Sequence, residues 1–227
     1  MKGKIVVIDG VDSSGKECQT AKLYHRLKEN YDIRKLSFPN YDSQSSALVK
    51  MYLQGDFGQN PDDISPYVAS TFYAVDRYAS YKTDWEQFYQ HGGIILADRY
   101  TTSNMVHQAA KLKTPEDKAK FLDWLWDYEF NLFTIPVPDC VLFLDMPPQY
   151  SQQLMSKRAN KITGLSQKDI HENNLAYLTS SYNNALYVAN KYNWTRINCI
   201  ENGDIKSIED IHNDIYTIVK KTLERPC

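Results

Sequence analysis

The sequence predicts an α/β protein built on a five-stranded parallel sheet flanked by helices on both faces. Short apolar runs alternate along the chain with longer helical stretches, an order typical of parallel strands joined by helical crossovers. Two of the runs, residues 94–97 and 140–144, are apolar without interruption, as expected for strands covered on both faces. In such sheets the ligand lies at the carboxyl ends of the strands, so the residues after each strand are the first candidates for a site.

The individual strands and long helices can be placed in order. The predicted strands are residues 4–9, 33–38, 93–98, 139–145 and 195–200. The predicted helices are residues 16–30, a long helix starting after residues 60–63, residues 115–133 and residues 206–223. Pro61 stands near the start of the second helix, where proline is favoured, and Pro136 and Pro138 follow the third. Because no repeat or linker interrupts this order, residues 1–227 are expected to form a single domain.

Composition narrows the class of protein. A chain of 227 residues with 42% apolar residues can bury a substantial core, and its net charge of −2 indicates neither a nucleic-acid surface nor a membrane surface. No apolar run reaches the roughly 18 residues of a transmembrane helix, and the N-terminus lacks signal-peptide features. Cys18, Cys140, Cys199 and Cys227 show no metal-ligand spacing, and Cys140 and Cys199 are expected to be small buried hydrophobes. A cytoplasmic protein without nucleic-acid or membrane partners is expected.

A phosphate-binding loop is predicted at residues 10–16, between the first strand and the first helix. Gly10 and Gly15 let the backbone wrap closely around phosphate oxygens, and Lys16 supplies a positive charge. Backbone amides and the helix N-terminus complete an anion cradle. The candidate ATP-binding residues are Gly10, Val11, Asp12, Ser13, Ser14, Gly15, Lys16, Glu17 and Cys18.

The residue after the lysine departs from this motif. Ser or Thr usually stands there and places a hydroxyl on Mg²⁺, whereas this chain has Glu17. Glu17 could hold the metal through a water molecule, or it could be an acid of the first helical turn that the helix dipole favours. Both interpretations remain open from the sequence.

Acids stand at three of the first four strand ends. Asp9 ends the first strand, Asp98 ends the third and Asp145 ends the fourth, while the second strand ends in the segment Phe38-Pro39-Asn40-Tyr41. A single acid at such a place is often only a helix cap. Three of them beside a phosphate loop favour a metal and phosphate site, with Asp98, Asp9 and Glu17 as candidate metal ligands.

In the first half of the chain, these motifs together resemble a known family. The segment Gly-Val-Asp-Ser-Ser-Gly-Lys at 10–16, Phe38-Pro39, Phe-Tyr-Ala-Val-Asp-Arg at 72–77, Asp-Arg-Tyr at 98–100 and Ser103-Asn104 occur in the order found in thymidylate kinases. Members of that family transfer the γ-phosphoryl group of ATP to dTMP. The resemblance implies a three-layer P-loop NTPase fold with a small mobile lid at about residues 155–170. It also implies Mg²⁺ as cofactor, ATP and dTMP as partners, and a homodimer.

The resemblance assigns catalytic roles to Asp12, Lys16, Arg99 and Arg158. In the family the loop carboxylate, here Asp12, contacts the sugar 3′-hydroxyl and helps to position the acceptor phosphate. Arg99 is expected to clamp phosphates because a planar guanidinium holds two oxygens at once. Asp98 would hold Mg²⁺ directly or through water.

The acceptor side carries over by position as well. Tyr73 and Arg77 lie at i and i+4, one face of a helix, where the family stacks an aromatic ring on thymine and binds its carbonyl with arginine. Phe72 is the alternative stacker if the register differs by one residue. His107 stands where the family usually has Tyr or Phe against a ribose 2′-hydroxyl. The candidate substrate-binding residues are Asp12, Phe38, Pro39, Tyr41, Phe72, Tyr73, Arg77, Arg99, Asn104, His107 and Gln108.

The basic segment 155–164 follows the fourth strand, where the family has its lid. Arg158 is expected to close over the ATP phosphates, with Lys157, Lys161 and Lys168 as alternates, although a solvated basic loop would have the same composition. Replacing Arg158 with Ala should lower kcat more than it weakens dTMP binding, and an unchanged kcat would remove Arg158 from the mechanism.

Two alternatives to a thymidylate kinase remain at this stage. A deoxynucleoside kinase or another monophosphate kinase would also carry a P-loop and an Asp-Arg segment. A non-catalytic nucleotide-binding module would be consistent with Glu17, although Asp12, Lys16, Asp98 and Arg99 speak against it. The aromatic stretch 121–133 suits either a dimer interface or a core.

Overall fold

The predicted parallel sheet is present in a computed structural model that describes residues 2–155 and 175–225. Five parallel strands lie in the order β2-β3-β1-β4-β5. They are β1 (Ile5–Gly10), β2 (Ile33–Ser37), β3 (Ile94–Asp98), β4 (Cys140–Asp145) and β5 (Thr195–Asn198). The five strands predicted from the sequence are confirmed within two residues at each end, and this order brings the carboxyl ends of β1, β3 and β4 side by side.

Helices connect and cover the strands. They are α1 (Lys16–Leu27), α2 (Ala47–Gln54), α3 (Pro66–Ser80), α4 (Glu86–Gln90), α5 (Thr101–His107), α6 (Pro115–Trp126), α7 (Pro148–Met155), α8 (Leu175–Lys191) and α9 (Ile208–Glu224). Ser65, Thr114 and Ser207 cap three of them, because each side chain accepts a hydrogen bond from a backbone amide three residues further on. These caps set the starts of α3, α6 and α9, which the predicted helices had placed within a few residues.

Two helices continue through π-helical turns rather than in regular α geometry. The turn Tyr81–Trp85 joins α3 to α4, and the turn Asp127–Leu132 extends α6. The predicted helix at residues 115–133 is therefore present, but its last third is wound more widely. A π turn inserts one extra residue and rotates the side chains that follow.

The two faces of the sheet pack against different helices. Alternate residues of β1 point to opposite faces, so Ile5 and Val7 pack with aromatic residues of α6 and the two π turns, whereas Val6 and Ile8 pack with α1 and α9. Both sets of side chains are almost completely buried. The apolar run in β3 and residues 142–144 of β4 are buried in the same way, which explains why they lack the alternation of a half-exposed strand. Cys199 is buried as expected, but Cys140, at the start of β4, is only partly buried.

A small hairpin follows β5 and was missed in the sequence. Strands β6 (Ile200–Glu201) and β7 (Asp204–Ile205) pair antiparallel across Asn202 and Gly203, whose φ angles are 51° and 87°. Two positive φ angles in a two-residue loop are typical of a type I′ turn, for which Asn-Gly is the favoured dipeptide. The Asn-Gly dipeptide was therefore a sequence signal for this hairpin. Because the hairpin begins at Ile200, β5 ends at Asn198, two residues before the end of the predicted strand 195–200.

Part of the sequence-based interpretation falls outside the described residues. The predicted lid at about residues 155–170 lies there apart from Met155, as do Arg158 and its alternates Lys157, Lys161 and Lys168. Within residues 2–155 and 175–225, no helix is long and apolar enough to cross a membrane.

Candidate active site

Two cavities meet at the carboxyl edge of the sheet. The larger, about 680 Å³, is lined by the phosphate loop and is here called the loop cavity. The smaller, about 90 Å³, lies between α3 and α5 and is here called the inner cavity. Asp12, Arg99 and the segment Phe38, Pro39 and Tyr41 line both of them. The site therefore lies where the strand-end rule predicts, with Asp12 and Arg99 at the junction.

The loop conformation explains its two glycines. Gly15 has a φ of 89°, a left-handed conformation that side chains rarely adopt. A Cβ on Gly10 would lie 2.7 Å from the hydroxyl oxygen of Ser14 and 3.1 Å from the carbonyl oxygen of Leu144 on β4. Gly10 therefore lets the loop fold back on itself while β1 stays paired with β4.

Lys16 is held inside the loop. Its Nζ donates a hydrogen bond of 2.6 Å to the carbonyl oxygen of Val11, and the residue is only 7% exposed. Burial, reinforced by the positive charge of Arg99, lowers the pKa of Lys16 to about 7. An anion bound in the loop would stabilise the charged ammonium, so this lysine is set up to gain a proton together with a phosphate ligand.

Two loop hydroxyls lack a hydrogen-bond partner. The Oγ atoms of Ser13 and Ser14 are buried, and neither has a partner among the described residues. Buried polar atoms are usually satisfied, and unsatisfied ones at a cleft are commonly completed by a ligand. Together with Lys16 they give the loop donors that suit an oxygen-rich anion.

Asp9, a predicted metal ligand, has a structural role in the fold. It is fully buried, and its carboxylate accepts hydrogen bonds from the hydroxyls of Thr102 and Ser103 and from the backbone amide of Gly10. These three donors use most of the acceptor positions of the carboxylate, and Asp9 is not among the residues that line either cavity. Asp9 ties the first turn of α5 to the loop, and its metal-ligand role stays a prediction.

The other strand-end acids differ in position. Asp98 and Glu17 line the loop cavity, as predicted. Asp145 does not, because its carboxylate accepts from the Tyr182 hydroxyl at 2.7 Å and pairs with Arg196 at 2.5 Å. The three acids at strand ends are thus not one cluster, and no group of three acidic, His or Cys side chains poised for a metal occurs in the described part of the chain.

Arg99 connects the two cavities. Its guanidinium pairs with Asp12 and donates to the Ser103 hydroxyl at 3.1 Å, and its backbone has an unusual φ of 68°. Burial opposes the charge, but the carboxylates of Asp12 and Asp9 raise the pKa of Arg99 above its ordinary value. Arg99 is therefore a permanent cation at the junction, and its closest partner, Asp12, is itself partly exposed.

His107 contributes to the same network. Its Nε2 lies 3.0 Å from Nη1 of Arg99. A guanidinium can only donate hydrogen bonds, so Nε2 must accept and the imidazole proton must be on Nδ1. His107 thus serves as a neutral acceptor that orients Arg99 in the wall of the inner cavity.

The inner cavity brings together most of the predicted acceptor residues. Tyr73, Asn104 and Gln108 line it, and the Oε1 atom of Gln108 is buried without a partner among the described residues. Phe72 does not line the cavity, because its ring packs against the ring of Phe57, with 5.6 Å between the ring centroids. Of the two candidate stacking residues on α3, Tyr73 is therefore the one that lines the cavity. The remaining predicted residues lining it are Asp12, Phe38, Pro39, Tyr41, Arg77, Arg99 and His107.

Asp76 was missed in the sequence although it shapes this wall. It is fully buried, and its carboxylate accepts from the Asn40 amide at 2.8 Å and from the Ser45 hydroxyl at 2.6 Å. These bonds hold the segment after β2, including the cis Phe38–Pro39 peptide, against α3. The sequence signal for a role of Asp76 was its place beside Arg77, in a helix segment that is otherwise apolar and aromatic.

Arg77 is in the cavity wall as predicted, but most of its guanidinium is engaged by a residue that was missed, Glu129. Nε and Nη2 of Arg77 donate to the two Glu129 oxygens at 2.7 and 2.6 Å. The two side chains are 2% and 0% exposed. Burial opposes ionisation of Arg77, but the charge of Glu129 raises its pKa. The sequence did carry a signal for Glu129. This acid stands four residues after the buried Leu125 of α6, so helical spacing continues the buried stripe of the helix to Glu129.

The helix stretch at 121–133 belongs mainly to the core. Phe121 and Phe130 are buried, and Trp124 and Trp126 pack partly buried beside them. Part of the lining of the loop cavity, in contrast, is apolar and was not predicted. It consists of Met146, Leu154, Ile205, Ile208 and Ile211.

Comparisons with known proteins identify the family of the chain. A family model described as thymidylate kinase matches residues 8–215. A probable thymidylate kinase from Pyrococcus horikoshii is 27% identical, with 98% of each chain covered. The thymidylate kinase of Plasmodium falciparum is 25% identical, with 99% of this chain and 93% of that protein covered. A solved structure of thymidylate kinase from Candida albicans shares the fold, with a TM-score of 0.68, 20% identity, and 98% and 94% of the two chains covered. Because the family model spans most of the sequence, the chain belongs to the thymidylate kinase family.

Proposed function

We propose that this protein is a kinase that transfers the γ-phosphoryl group of ATP to dTMP, giving dTDP and ADP. The observation that carries the proposal is the junction of the two cavities at Asp12 and Arg99. One cavity has a phosphate loop and the other has aromatic, amide and arginine side chains suited to a nucleobase. A donor and an acceptor that meet at this junction would bring their phosphates together.

The loop cavity is suited to ATP. The buried hydroxyls of Ser13 and Ser14 and the ammonium of Lys16 would bind the β- and γ-phosphates, and the predicted set from Gly10 to Cys18 would surround them. The apolar residues in the lining of the cavity would provide a surface for the adenine ring. A lining with both polar and apolar residues matches the chemistry of a nucleotide.

The inner cavity is suited to dTMP. Tyr73 would stack on the thymine ring, Asn104 and Gln108 would bind its edge, and Arg77 would donate to a carbonyl oxygen. The side chains fill much of this space at present, so a nucleotide would have to displace some of them. Arg99 is the side chain best placed to turn, because its partner Asp12 lies at the mouth of the cavity.

Mg²⁺ fits the acidic residues that line the loop cavity. Magnesium takes oxygen ligands and is commonly held by one or two carboxylates together with substrate phosphates. Asp98 and Glu17 line the cavity beside Lys16 and supply carboxylates of this kind. When bound, the metal would neutralise charge on the β- and γ-phosphates.

The chemistry asked of the chain is mainly positioning and charge neutralisation. Negative charge spreads over the oxygens of the transferred group, and fixed cations stabilise it. Lys16 and Arg99 would supply that charge from opposite sides of the junction. As the acceptor phosphate replaces Asp12 on the guanidinium, Asp12 becomes available to the sugar hydroxyl of the acceptor. Arg158, outside the described residues, would add a further cation from the lid.

The proposal is tested by coupled ADP release with ATP and Mg²⁺. The acceptor panel is dTMP, dUMP, UMP, dCMP, AMP, GMP and thymidine, and Lys16→Met is the inactive control. Fastest turnover with dTMP is expected. Preference for thymidine would indicate a nucleoside kinase instead, and tight ATP binding without turnover of any acceptor would indicate a non-catalytic module.

We further propose that the protein is a homodimer that associates through α2 and α3. Leu48 and Met51 on α2 and Val68, Val75 and Tyr78 on α3 are large apolar side chains that remain exposed. The α3 residues recur at helical spacing and form one stripe, as an interface helix requires. In sedimentation velocity, the wild type should be dimeric and Val75→Asp monomeric, and a monomeric wild type would exclude the dimer.

A further inference from the structure

Glu129 is a buried acid that the proposed reaction does not yet use. It lies in the π turn Asp127–Leu132, behind the inner cavity, and is completely inaccessible to solvent. One of its oxygens accepts from Arg77 Nη2 at 2.6 Å, and the other accepts from Arg77 Nε at 2.7 Å and from the Thr101 hydroxyl at 2.8 Å. Each carboxylate oxygen is therefore satisfied, and the acid joins α3 to the start of α5.

The position of Glu129 is costly without its partners. Leu122 and Leu125 precede it on the buried stripe of α6, so a carboxylate is placed where an apolar side chain would ordinarily pack. A buried charge destabilises a protein unless it is paired and fully hydrogen-bonded. A plain apolar residue could have filled this space, so the pair with Arg77 calls for an explanation other than stability.

The pair leaves one edge of Arg77 available to the inner cavity. Nε and Nη2 are turned toward Glu129, whereas Nη1 has only a long contact of 3.4 Å with the carbonyl oxygen of Tyr100. Arg77 lines the inner cavity. A guanidinium has five N–H donors in a rigid plane, so fixing one edge also fixes the direction of the donors on the other.

The pair also decides what kind of group this edge can bind. An acceptor phosphate could not take over Arg77 without leaving Glu129 as an unpaired buried charge. A neutral carbonyl oxygen can accept from Nη1 while both bonds to Glu129 stay intact. An amino group at the same place would direct its own N–H groups at those of Arg77 and would be rejected.

We infer that Glu129 is a positioning residue for recognition of the acceptor base. It fixes Arg77 so that the free N–H groups bind a pyrimidine carbonyl and disfavour a pyrimidine that has an amino group in its place. This inference rests on the proposed function, since it concerns the base of the same acceptor. Its measurable quantity is the ratio of kcat/KM for dTMP to kcat/KM for dCMP.

The test replaces Glu129 with Gln in the full chain. The Gln amide would direct N–H groups at Arg77 in place of one oxygen, so Arg77 should lose its fixed orientation. E129Q should lower kcat/KM for dTMP about tenfold and lower the dTMP-to-dCMP ratio, while KM for ATP stays unchanged. The matched control is Thr101→Val, which removes the third hydrogen bond to Glu129, leaves the Arg77 pair in place and should preserve the ratio.

Two further variants separate positioning from a purely structural role. If E129Q does not fold, Glu129→Asp keeps the charge with a shorter reach and should lower the same ratio by a smaller factor. Adding E129Q to an Arg77→Met background should not change the ratio of that background, because Glu129 acts only through Arg77. A folded E129Q with the wild-type ratio would overturn the inference. A wild type that binds ATP but does not phosphorylate dTMP would overturn the proposed function itself.

Discussion

Arg77 and Arg99 line the same inner cavity, but carboxylates hold them in different ways. Arg77 is paired with Glu129 in a dry environment, with side-chain exposures of 2% and 0%. Arg99 is paired with Asp12 at the mouth of the cavity, where both side chains are 19% exposed. The first pair is closed to exchange, whereas the second has partners that a ligand can replace.

The two arginines therefore suit different tasks, because the orientation of Arg77 is fixed whereas the guanidinium of Arg99 can exchange its partner. A closed pair keeps its geometry when ligand binds, so Arg77 suits the recognition of a neutral base. An open pair can transfer its guanidinium from a carboxylate to a phosphate, so Arg99 suits charge neutralisation. The following predictions test this contrast, from the largest expected effect to the smallest.

Arg77→Met should cause the largest loss of stability. It leaves Glu129 as an uncompensated buried charge, so the free energy of unfolding should fall by about 3–5 kcal/mol in urea denaturation. The control is Arg34→Met, which breaks the exposed Arg34–Asp84 pair and should cost about 1 kcal/mol or less. Equal losses in the two variants would show that Arg77 is not held by a buried pair.

Arg99→Lys should mainly affect turnover. A lysine keeps the charge but loses the planar fork that holds two phosphate oxygens, so kcat should fall about 100-fold with a smaller loss of stability than in Arg77→Met. Arg196→Lys is the matched control, because Arg196 forms a similar pair with Asp145 outside both cavities. Arg99→Lys with near-normal kcat would remove Arg99 from phosphate binding.

ATP binding should depend on pH through Lys16. Its pKa of about 7 in the free protein means that the ammonium is charged below pH 7 and is lost as pH rises. Bound phosphates favour the charged form, so binding at pH 8 should take up close to one proton, and ATP affinity should fall between pH 7 and 9. Calorimetry in buffers of different ionisation enthalpy measures this uptake. The control is Lys111→Gln. Burial lowers the pKa of Lys111 to about 8, but this lysine lies away from the phosphate loop, so the variant should leave the proton uptake unchanged.

His107→Phe should give the smallest effect. It removes the acceptor for Arg99 Nη1 and fills the wall with a larger ring, so the preference for dUMP over UMP should rise a few-fold. These two acceptors differ only in the 2′-hydroxyl. His25→Phe, on the exposed surface of α1, is the control. A preference that stays the same in His107→Phe would mean that this position does not sense the sugar.

Local patterns were sufficient for much of the fold and for one side of the site. Continuous apolar runs predicted the buried strands, and the longer helical stretches between them predicted the helices, because both patterns depend on neighbours in sequence. The phosphate loop was equally accessible, since Gly10, Gly15 and Lys16 belong to one short segment. Tyr73 and Arg77 could be placed on one face of α3 because helical spacing is also a local property.

The remaining features depend on contacts between distant segments. Asp9 and Asp98 look alike at their strand ends, but Asp98 lines the loop cavity, whereas the carboxylate of Asp9 accepts hydrogen bonds from hydroxyls of α5. Asp145 likewise has the sequence context of a site residue and is taken up by Tyr182 and Arg196. Which acid faces the cavity depends on which helix packs against it, and one sequence carries no direct record of that choice.

By itself, the sequence determined that this chain forms a helix-flanked parallel sheet with a phosphate loop at its carboxyl edge. Only the tertiary structure decided that a π turn of α6 places Glu129 against Arg77, 52 positions earlier in the chain. The physical reason is that secondary-structure periodicity and turn chemistry act over a few residues. The pairing of buried charges, in contrast, depends on which surfaces the fold removes from water together.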